Sequence, residues 1–426
     1  MMHMRGLDRV LVIGLFLSLL LLPFPVKGAE PYNLGVVLEF TGTGALYSRH
    51  SYQGIELAVE EINKEGGFLG KHPIKLFSRD SQSKPDVGVR EAKDLILREK
   101  VKGIIGTQSS NIALAVEEVC YEYKIIHVIA NSNAEAMTVS NYSPYTYQIV
   151  PNTYMQATAT AVSIAKNVKS KGWKTYDTIG SNYEYPHSTI NTVVEHLKKT
   201  SPEFKLAKQY WPKLGETEFS AYVTSIIGDK PDFVYACVPG SDGFALFRQG
   251  NSYGLFKNVF YASGATFLTE MMEMKDELPR GIVTVLRAPF FANMNNPMMA
   301  NLVKKYQAKF NQYPDDFVPM QYDAVYVLKQ AIEKAGSIEP ENVKNAMKGM
   351  TVNTTRGSLS FRKIDNMVNC PSYTGIIADD PKYPFPILRD MVVVSGEESW
   401  RPESEVLQLR DKADLSKKRR PEELKF

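Results

Sequence analysis

Cysteine is rare in this chain: three among 426 residues, Cys120, Cys237 and Cys370, with no CxxC pair. This excludes a zinc ribbon and a thioredoxin-type motif, and the odd count leaves at least one thiol outside any disulfide. Cys120 and Cys237 lie in apolar runs and read as small core residues, although a disulfide between two of the three stays open. Histidine is sparse as well. His3, His50, His72, His127, His187 and His196 are scattered, and no two share a helix face at metal-ligand spacing. His127, inside an apolar run, reads as a core residue rather than a base. GxSxG, HExxH and P-loop patterns are missing, so the usual hydrolase, metalloprotease and nucleotide-phosphate signatures lack support. Gly42-Thr-Gly44 begins like a dinucleotide loop, but Tyr47 stands where its third glycine belongs. An excess of charge of one sign is lacking too. Lys and Arg total 50 against 47 Asp and Glu, a net charge of +3. A nucleic-acid partner therefore has no electrostatic footprint.

Long hydrophobic runs are confined to the start. Arg5 and Arg9 precede an apolar run from Val10 to Leu22. At about 1.5 Å per residue this run is about 20 Å long, short of the roughly 30 Å bilayer core. Val26 and Gly28 fit the small-residue rule of a signal-peptidase site, so residues 1–28 are expected to be a cleaved signal peptide. The body that follows is expected to be soluble outside the inner membrane.

That body alternates strands and helices. An apolar run over 33–39 suits a buried parallel strand. A helix is predicted over 51–65, with Ile55, Ala58, Val59 and Ile62 on one stripe and Gly66-Gly67 as its stop. Strands are predicted over 72–79, 101–106 and 125–130, and helices over 85–99 and 111–123. The alternation pauses at 145–151 and resumes. Helices are predicted over 154–169, 186–199, 218–227 and 243–249, and strands over 175–181, 204–211, 232–238 and 258–262. A strand over 281–291 passes into an irregular link. Helices over 297–310, 317–335 and 340–348 and strands over 357–361 and 386–394 follow. The pattern predicts an α/β fold of two doubly wound parallel-sheet units. The tail from 410 to 426, with Lys417-Lys-Arg-Arg420, reads as a solvated, frayed end.

In open α/β sheets ligands bind beyond the carboxyl ends of the strands. Here those ends carry Thr41–Tyr47, Thr107–Asn111 and Asn131–Ala134 in the first unit. The second unit carries Ser181–Pro186, Val238–Asp242 and Ser263–Thr266. Ser109, Ser110 and the first amides of the helix after them can hold an anion, and Ser110 or Asn111 can equally be a plain helix cap.

The run Gln53-Gly-Ile-Glu-Leu-Ala-Val-Glu-Glu-Ile-Asn63, then Gly66-Gly-Phe-Leu-Gly70, Asp80 and Ile104-Ile-Gly106 with Ser109-Ser110, resembles the leucine/isoleucine/valine-binding family. These are periplasmic solute-binding proteins of ABC importers. The likeness continues in order through Phe233-Val-Tyr235, Asp323-Ala-Val325 and Gly357-Ser-Leu-Ser-Phe361. It implies a type I periplasmic-binding fold with two lobes joined by three hinge crossovers. Residues 30–149 and 288–355 would form lobe one, and 150–287 and 356–395 lobe two, followed by a charged tail over 396–426. It implies a periplasmic binding protein without catalytic activity or cofactor. Its partners would be a small-molecule ligand and an inner-membrane ABC permease.

The same resemblance carries ligand contacts onto Tyr47, Ser109, Ser110, Ser132, Asn133 and Tyr185. It also exposes a departure. Amino-acid binders of the family usually place an acidic residue in lobe two for the ammonium, and this chain has Gly264 there. Glu39 or Glu184 would have to replace it, or else the ligand has no ammonium. Tyr47, Tyr183 and Tyr185 suit an aromatic carboxylate, another small organic acid or an amide. Two further readings remain at this level: a periplasmic sensor that presents its ligand to a membrane receptor, and a secreted α/β hydrolase.

Overall fold

The computed structural model describes residues 30–424. Two separate sheets organise the chain. The first has the order β2-β1-β3-β4-β5 and is parallel throughout. Its strands are β1 (Tyr32–Leu38), β2 (Ile74–Asp80), β3 (Gly103–Gly106), β4 (Ile126–Ile129) and β5 (Thr146–Gln148). The central strands β3 and β4 are wholly buried, as strands covered on both faces are, and His127 is the one polar residue among them.

The helix Ala45–Lys64 packs on this sheet and starts six residues before its predicted position. The extra turn holds Tyr47, Ser48 and His50, polar residues that are nonetheless buried. Gly54 permits its close crossing with the helix Phe317–Ala335, since a Cβ there would sit 2.4 Å from the Val318 carbonyl oxygen. Tyr306 and Tyr322 add hydrogen bonds to Gln53 at 2.5 Å and Glu61 at 2.8 Å. Late segments thus complete the first layer.

The second sheet has the order β14-β13-β10-β9-β8-β6-β7. Its parallel part comprises β6 (Thr175–Gly180), β7 (Lys205–Tyr210), β8 (Phe233–Cys237), β9 (Phe260–Ser263) and β10 (Val283–Leu286). The edge strand β7 is largely exposed and carries Lys205 and Lys208, charges that discourage pairing with another chain. On the other side β13 (Ser372–Ala378) and β14 (Ile387–Val394) are added antiparallel. A small antiparallel pair, β11 (Thr351–Thr354) and β12 (Gly357–Ser360), sits apart.

The chain leaves the first sheet after β5, returns after β10 and crosses again before β13. The crossings are tied to one another. Gln148 donates its amide to the Asn366 carbonyl and accepts from Val368, both at 3.1 Å. The buried Arg356 pairs with Asp323 at 3.2 Å and donates to the Ile149 carbonyl at 2.8 Å.

The C-terminal segment differs from its expected frayed state. It forms the helix Glu403–Lys412 and packs back on the first layer. Arg401 pairs with Glu135 at 2.6 Å, Arg410 donates to the Ile364 carbonyl at 2.7 Å, and Arg419 reaches Glu118 at 2.7 Å and the Tyr142 carbonyl at 2.8 Å. The arginines bind partners on distant turns, a pairing that a count of basic residues cannot reveal. All three cysteines are buried and unpaired, and burial pushes the Cys237 and Cys370 thiols up to about 12. His127 is buried, and burial lowers its pKa to about 3. Both its ring nitrogens lack a partner among the described residues.

Candidate functional site

A closed cleft lies between the two sheets, at the carboxyl ends of their strands. Thr43, Gly44 and Tyr47 follow β1, Gln108, Ser109 and Ser110 follow β3, and Asn131 and Asn133 follow β4. From the other side come Tyr183 and Tyr185 after β6, Leu214 after β7, Pro239 and Gly240 after β8, Phe267 after β9 and Arg287 after β10. The remaining void is only about 30 Å³, room for a water or so, and any larger solute requires the walls to part.

Five of the six residues expected to touch a ligand, namely Tyr47, Ser109, Ser110, Asn133 and Tyr185, line this void. Ser132 does not; its hydroxyl donates to the Thr107 carbonyl at 2.5 Å and ties two loops together. Thr107 itself has φ +57°, the left-handed region rarely used by a branched residue. Ser110 opens the helix Ser110–Tyr123, and its hydroxyl accepts the Ala134 amide at 3.2 Å. Asn133 donates to Gln156 and to the Pro151 carbonyl, at the first crossing.

Tyr47 reaches across the cleft. Its hydroxyl accepts the Gly240 amide at 2.6 Å and donates to the Glu270 carboxylate. Glu270 also takes the Phe267 amide at 2.8 Å, and burial raises it to about 7. Nearby, Asp315 joins His50 at 2.6 Å to Thr269 at 2.5 Å, a second link between the layers. Tyr47, Phe267 and Phe317 pack edge-to-face or tilted against one another at centroid distances of 4.8–6.0 Å.

The acidic candidates fare differently. Glu39 is buried beneath the Gly44 loop, where its carboxylate accepts the Ser109 amide at 2.7 Å and the Ser83 hydroxyl at 2.8 Å. It organises the loop rather than facing the void. Glu184 is outside the lining. At Gly264 no side chain fits, since a Cβ would stand 2.4 Å from the Tyr235 hydroxyl oxygen.

The residue that sequence reasoning missed is Arg287. It is 2% exposed and lines the void. Its guanidinium donates to the Asn131 carbonyl at 2.9 Å and to the Tyr185 hydroxyl at 3.3 Å, while Nε has no partner. It lies 4.4 Å from the Phe267 ring centroid and 5.6 Å from that of Tyr185, a cation held against aromatic faces. One cue was available: a lone cation inside the apolar run Ile282–Phe291. A buried charge in such a run needs a partner, and none is adjacent in sequence.

Comparison with known proteins yields consistent matches. A family model described as periplasmic binding protein matches residues 31–380. The leucine-, isoleucine-, valine-, threonine- and alanine-binding protein of Pseudomonas aeruginosa is 24% identical over 344 residues, covering 80% of this chain and 88% of that one. A periplasmic binding protein from Burkholderia mallei superposes with TM-score 0.79 at 19% identity, covering 89% of this chain and 98% of that one. A solute-binding protein of an ABC transporter from Rhodopseudomonas palustris HaA2, in complex with p-hydroxybenzoic acid, gives TM-score 0.77 at 19% identity, covering 87% and 99%.

Proposed function

The chain belongs to the periplasmic binding protein family, and from that premise we propose that it takes up a small carboxylate, amino acid or amide in the cleft between its strand tips. It is an extracytoplasmic solute-binding protein of the ABC-importer type, a binder rather than an enzyme, and its partner is a cognate membrane permease. Its location is periplasmic. Cleavage of residues 1–28 by signal peptidase is our reading of the sequence and lies outside the described residues.

We take 30–149 with 288–355 as lobe one and 150–287 with 356–395 as lobe two. The reading is supported by the placement of β1–β5 in the first range and of β6–β10, β13 and β14 in the second. Tyr47, Ser109, Ser110, Asn133 and Tyr185 are proposed to contact the ligand, and Ser132 to hold the loop that presents Asn133. Arg287 is added to that set.

The observation that carries this reading is the convergence of eight strand ends from two sheets on one void, bridged by Tyr47. In such a body, ligand binding favours the closed arrangement by its higher affinity for it. A thermal-shift screen of amino acids, organic acids and amides tests the proposal. A true ligand raises Tm, increasingly so as its concentration exceeds Kd, and shrinks the scattering radius. A panel without a single hit, in a folded protein, rejects the reading.

A further inference from the structure

We infer that the solute is a carboxylate without an ammonium group, built on a planar or aromatic body and anchored by Arg287. The inference rests on the cleft reading above and narrows it to a class of solute.

The first support is an uncompensated cation. Taking a guanidinium out of water is costly unless a carboxylate or a full set of acceptors replaces the water. Two other buried arginines are met by carboxylates, Arg356 by Asp323 at 3.2 Å and Arg401 by Glu135 at 2.6 Å, and a third, Arg410, by the carbonyls of Thr138, Val139 and Ile364. Arg287 has instead one carbonyl and one phenol, and its Nε is left without an acceptor. The buried Asp316 carboxylate lies near enough in space to feel the Arg287 charge, but its Oδ2 accepts the main-chain amide of Arg287 at 3.0 Å and it makes no ion pair with the guanidinium. Among the described residues no ion pair to the guanidinium is found. A planar fork of donors on the wall of a void is complementary to a carboxylate.

The second support is the lack of a site for an ammonium. Among the described residues no Asp or Glu lines the void. Glu39 is consumed by the Ser109 amide and the Ser83 hydroxyl, and Glu270 by Tyr47 and the Phe267 amide. Gly264 is walled in by Tyr235 and Thr189, so the backbone there admits no acidic side chain. An amino acid would leave its charged amine in a closed cleft without a counter-charge.

The third support is the walls. Tyr47, Tyr183, Tyr185 and Phe267 are four aromatic rings among the lining residues. They offer faces and edges to a flat ring, whose quadrupole pairs with theirs in offset or edge geometry.

Matched pairs of solutes separate amine from carboxylate. Calorimetry on the purified protein would compare 3-phenylpropanoate with L-phenylalanine and 4-methylpentanoate with L-leucine, with benzoate and benzamide as a third pair. The expected result is tighter binding, by tenfold or more, of each amine-free acid over its amino acid, and of benzoate over benzamide. Arg287→Gln should weaken the best acid at least thirtyfold, and Arg287→Lys should restore part of that loss. Because Arg287→Gln can disturb folding, Tyr185→Phe, which removes only the phenol beside the guanidinium, should give a smaller loss for the same acid. Tighter binding of the amino acids, or of benzamide, overturns the inference while leaving a solute-binding cleft intact. Equal affinity of wild type and a folded Arg287→Gln overturns it as well. If none of the six solutes binds, the inference falls, and the cleft reading is decided by the wider thermal-shift panel.

Discussion

The hydroxyl of Tyr47 and the amide of Gly240 meet at 2.6 Å, although one follows the first strand of the first sheet and the other opens a helix of the second. Gly240 has φ +68° and could not carry a side chain without meeting the Thr43 carbonyl oxygen at 2.8 Å. The two layers therefore touch through a tyrosine on one side and bare backbone on the other.

Tyr47→Phe removes that bond and the one to Glu270, leaving the buried Gly240 amide and one oxygen of the Glu270 carboxyl without their partner. An unsatisfied buried group costs about 1–3 kcal/mol. The expected outcome is a five- to hundredfold loss of affinity by calorimetry with little change in the open form's scattering profile. Unchanged affinity would mean that the bond is incidental.

Lower pH should favour the closed form. Burial raises Glu270 to about 7, so its closed-state proton is held where an exposed carboxyl would have lost it. Such a group stabilises below its ordinary pKa, and that contribution is lost as pH rises through about 7. His50 acts in the same sense. Burial works to lower its pKa, but the Asp315 carboxylate outweighs it and the net shift is upward. Its contribution is present below the ordinary imidazole value and fades as pH rises through the raised one. Stability at pH 6 should exceed that at pH 8 by roughly 1 kcal/mol or more, read as a higher Tm. Glu270→Gln should flatten the dependence; a profile rising from pH 6 to pH 8 would contradict both assignments.

Gly264→Asp, the change that would restore the usual acidic residue, should not create an amino-acid site. Its Cβ would lie 2.4 Å from the Tyr235 hydroxyl oxygen and 2.9 Å from Thr189 Cγ2. Overpacking of this kind costs about 1–3 kcal/mol. A lower Tm with no gain in leucine binding is expected, and a stable variant that binds leucine would refute the steric argument.

Arg401→Ala should destabilise the whole protein rather than merely loosen its end. It would leave Glu135 buried without its counter-ion, and removing one partner of a buried pair costs about 3–5 kcal/mol. The guanidinium also lies 3.9 Å from the Tyr154 ring centroid. Denaturant unfolding measures the loss; a change below about 0.5 kcal/mol, the range of an ordinary surface substitution, would show the segment to be dispensable.

Ser110→Ala should weaken binding by about 1–3 kcal/mol if its hydroxyl turns to a bound carboxylate. The same hydroxyl accepts the Ala134 amide at 3.2 Å, so the variant's Tm separates a ligand contact from a loop brace. A Tm loss without an affinity loss would assign it to the loop alone.

Much of the architecture was legible from periodicity. The predicted helices over 297–310 and 317–335 coincide with Pro297–Phe310 and Phe317–Ala335, because their apolar stripes and their Pro and Gly boundaries are local features. The helix Leu268–Met274 and β13 were not legible. The first is only seven residues long, and the second is interrupted by Gly375, beside a shift in register. Short elements depend on neighbours more than on their own pattern.

By itself the sequence determined which segments become strands and helices and which polar loops cap them, since burial on one face or both writes a period into the chain. It thereby put Tyr47, Ser109, Ser110, Asn133 and Tyr185 beyond strand ends, in loops or in the first turns of the helices that follow. Only the tertiary structure decided what those loops enclose. Arg287 meets Asn131 across 156 residues and Tyr47 meets Glu270 across 223, and contacts at such separations leave no local period. Which carboxylates are already satisfied, and which cation is not, follows from that long-range pairing alone.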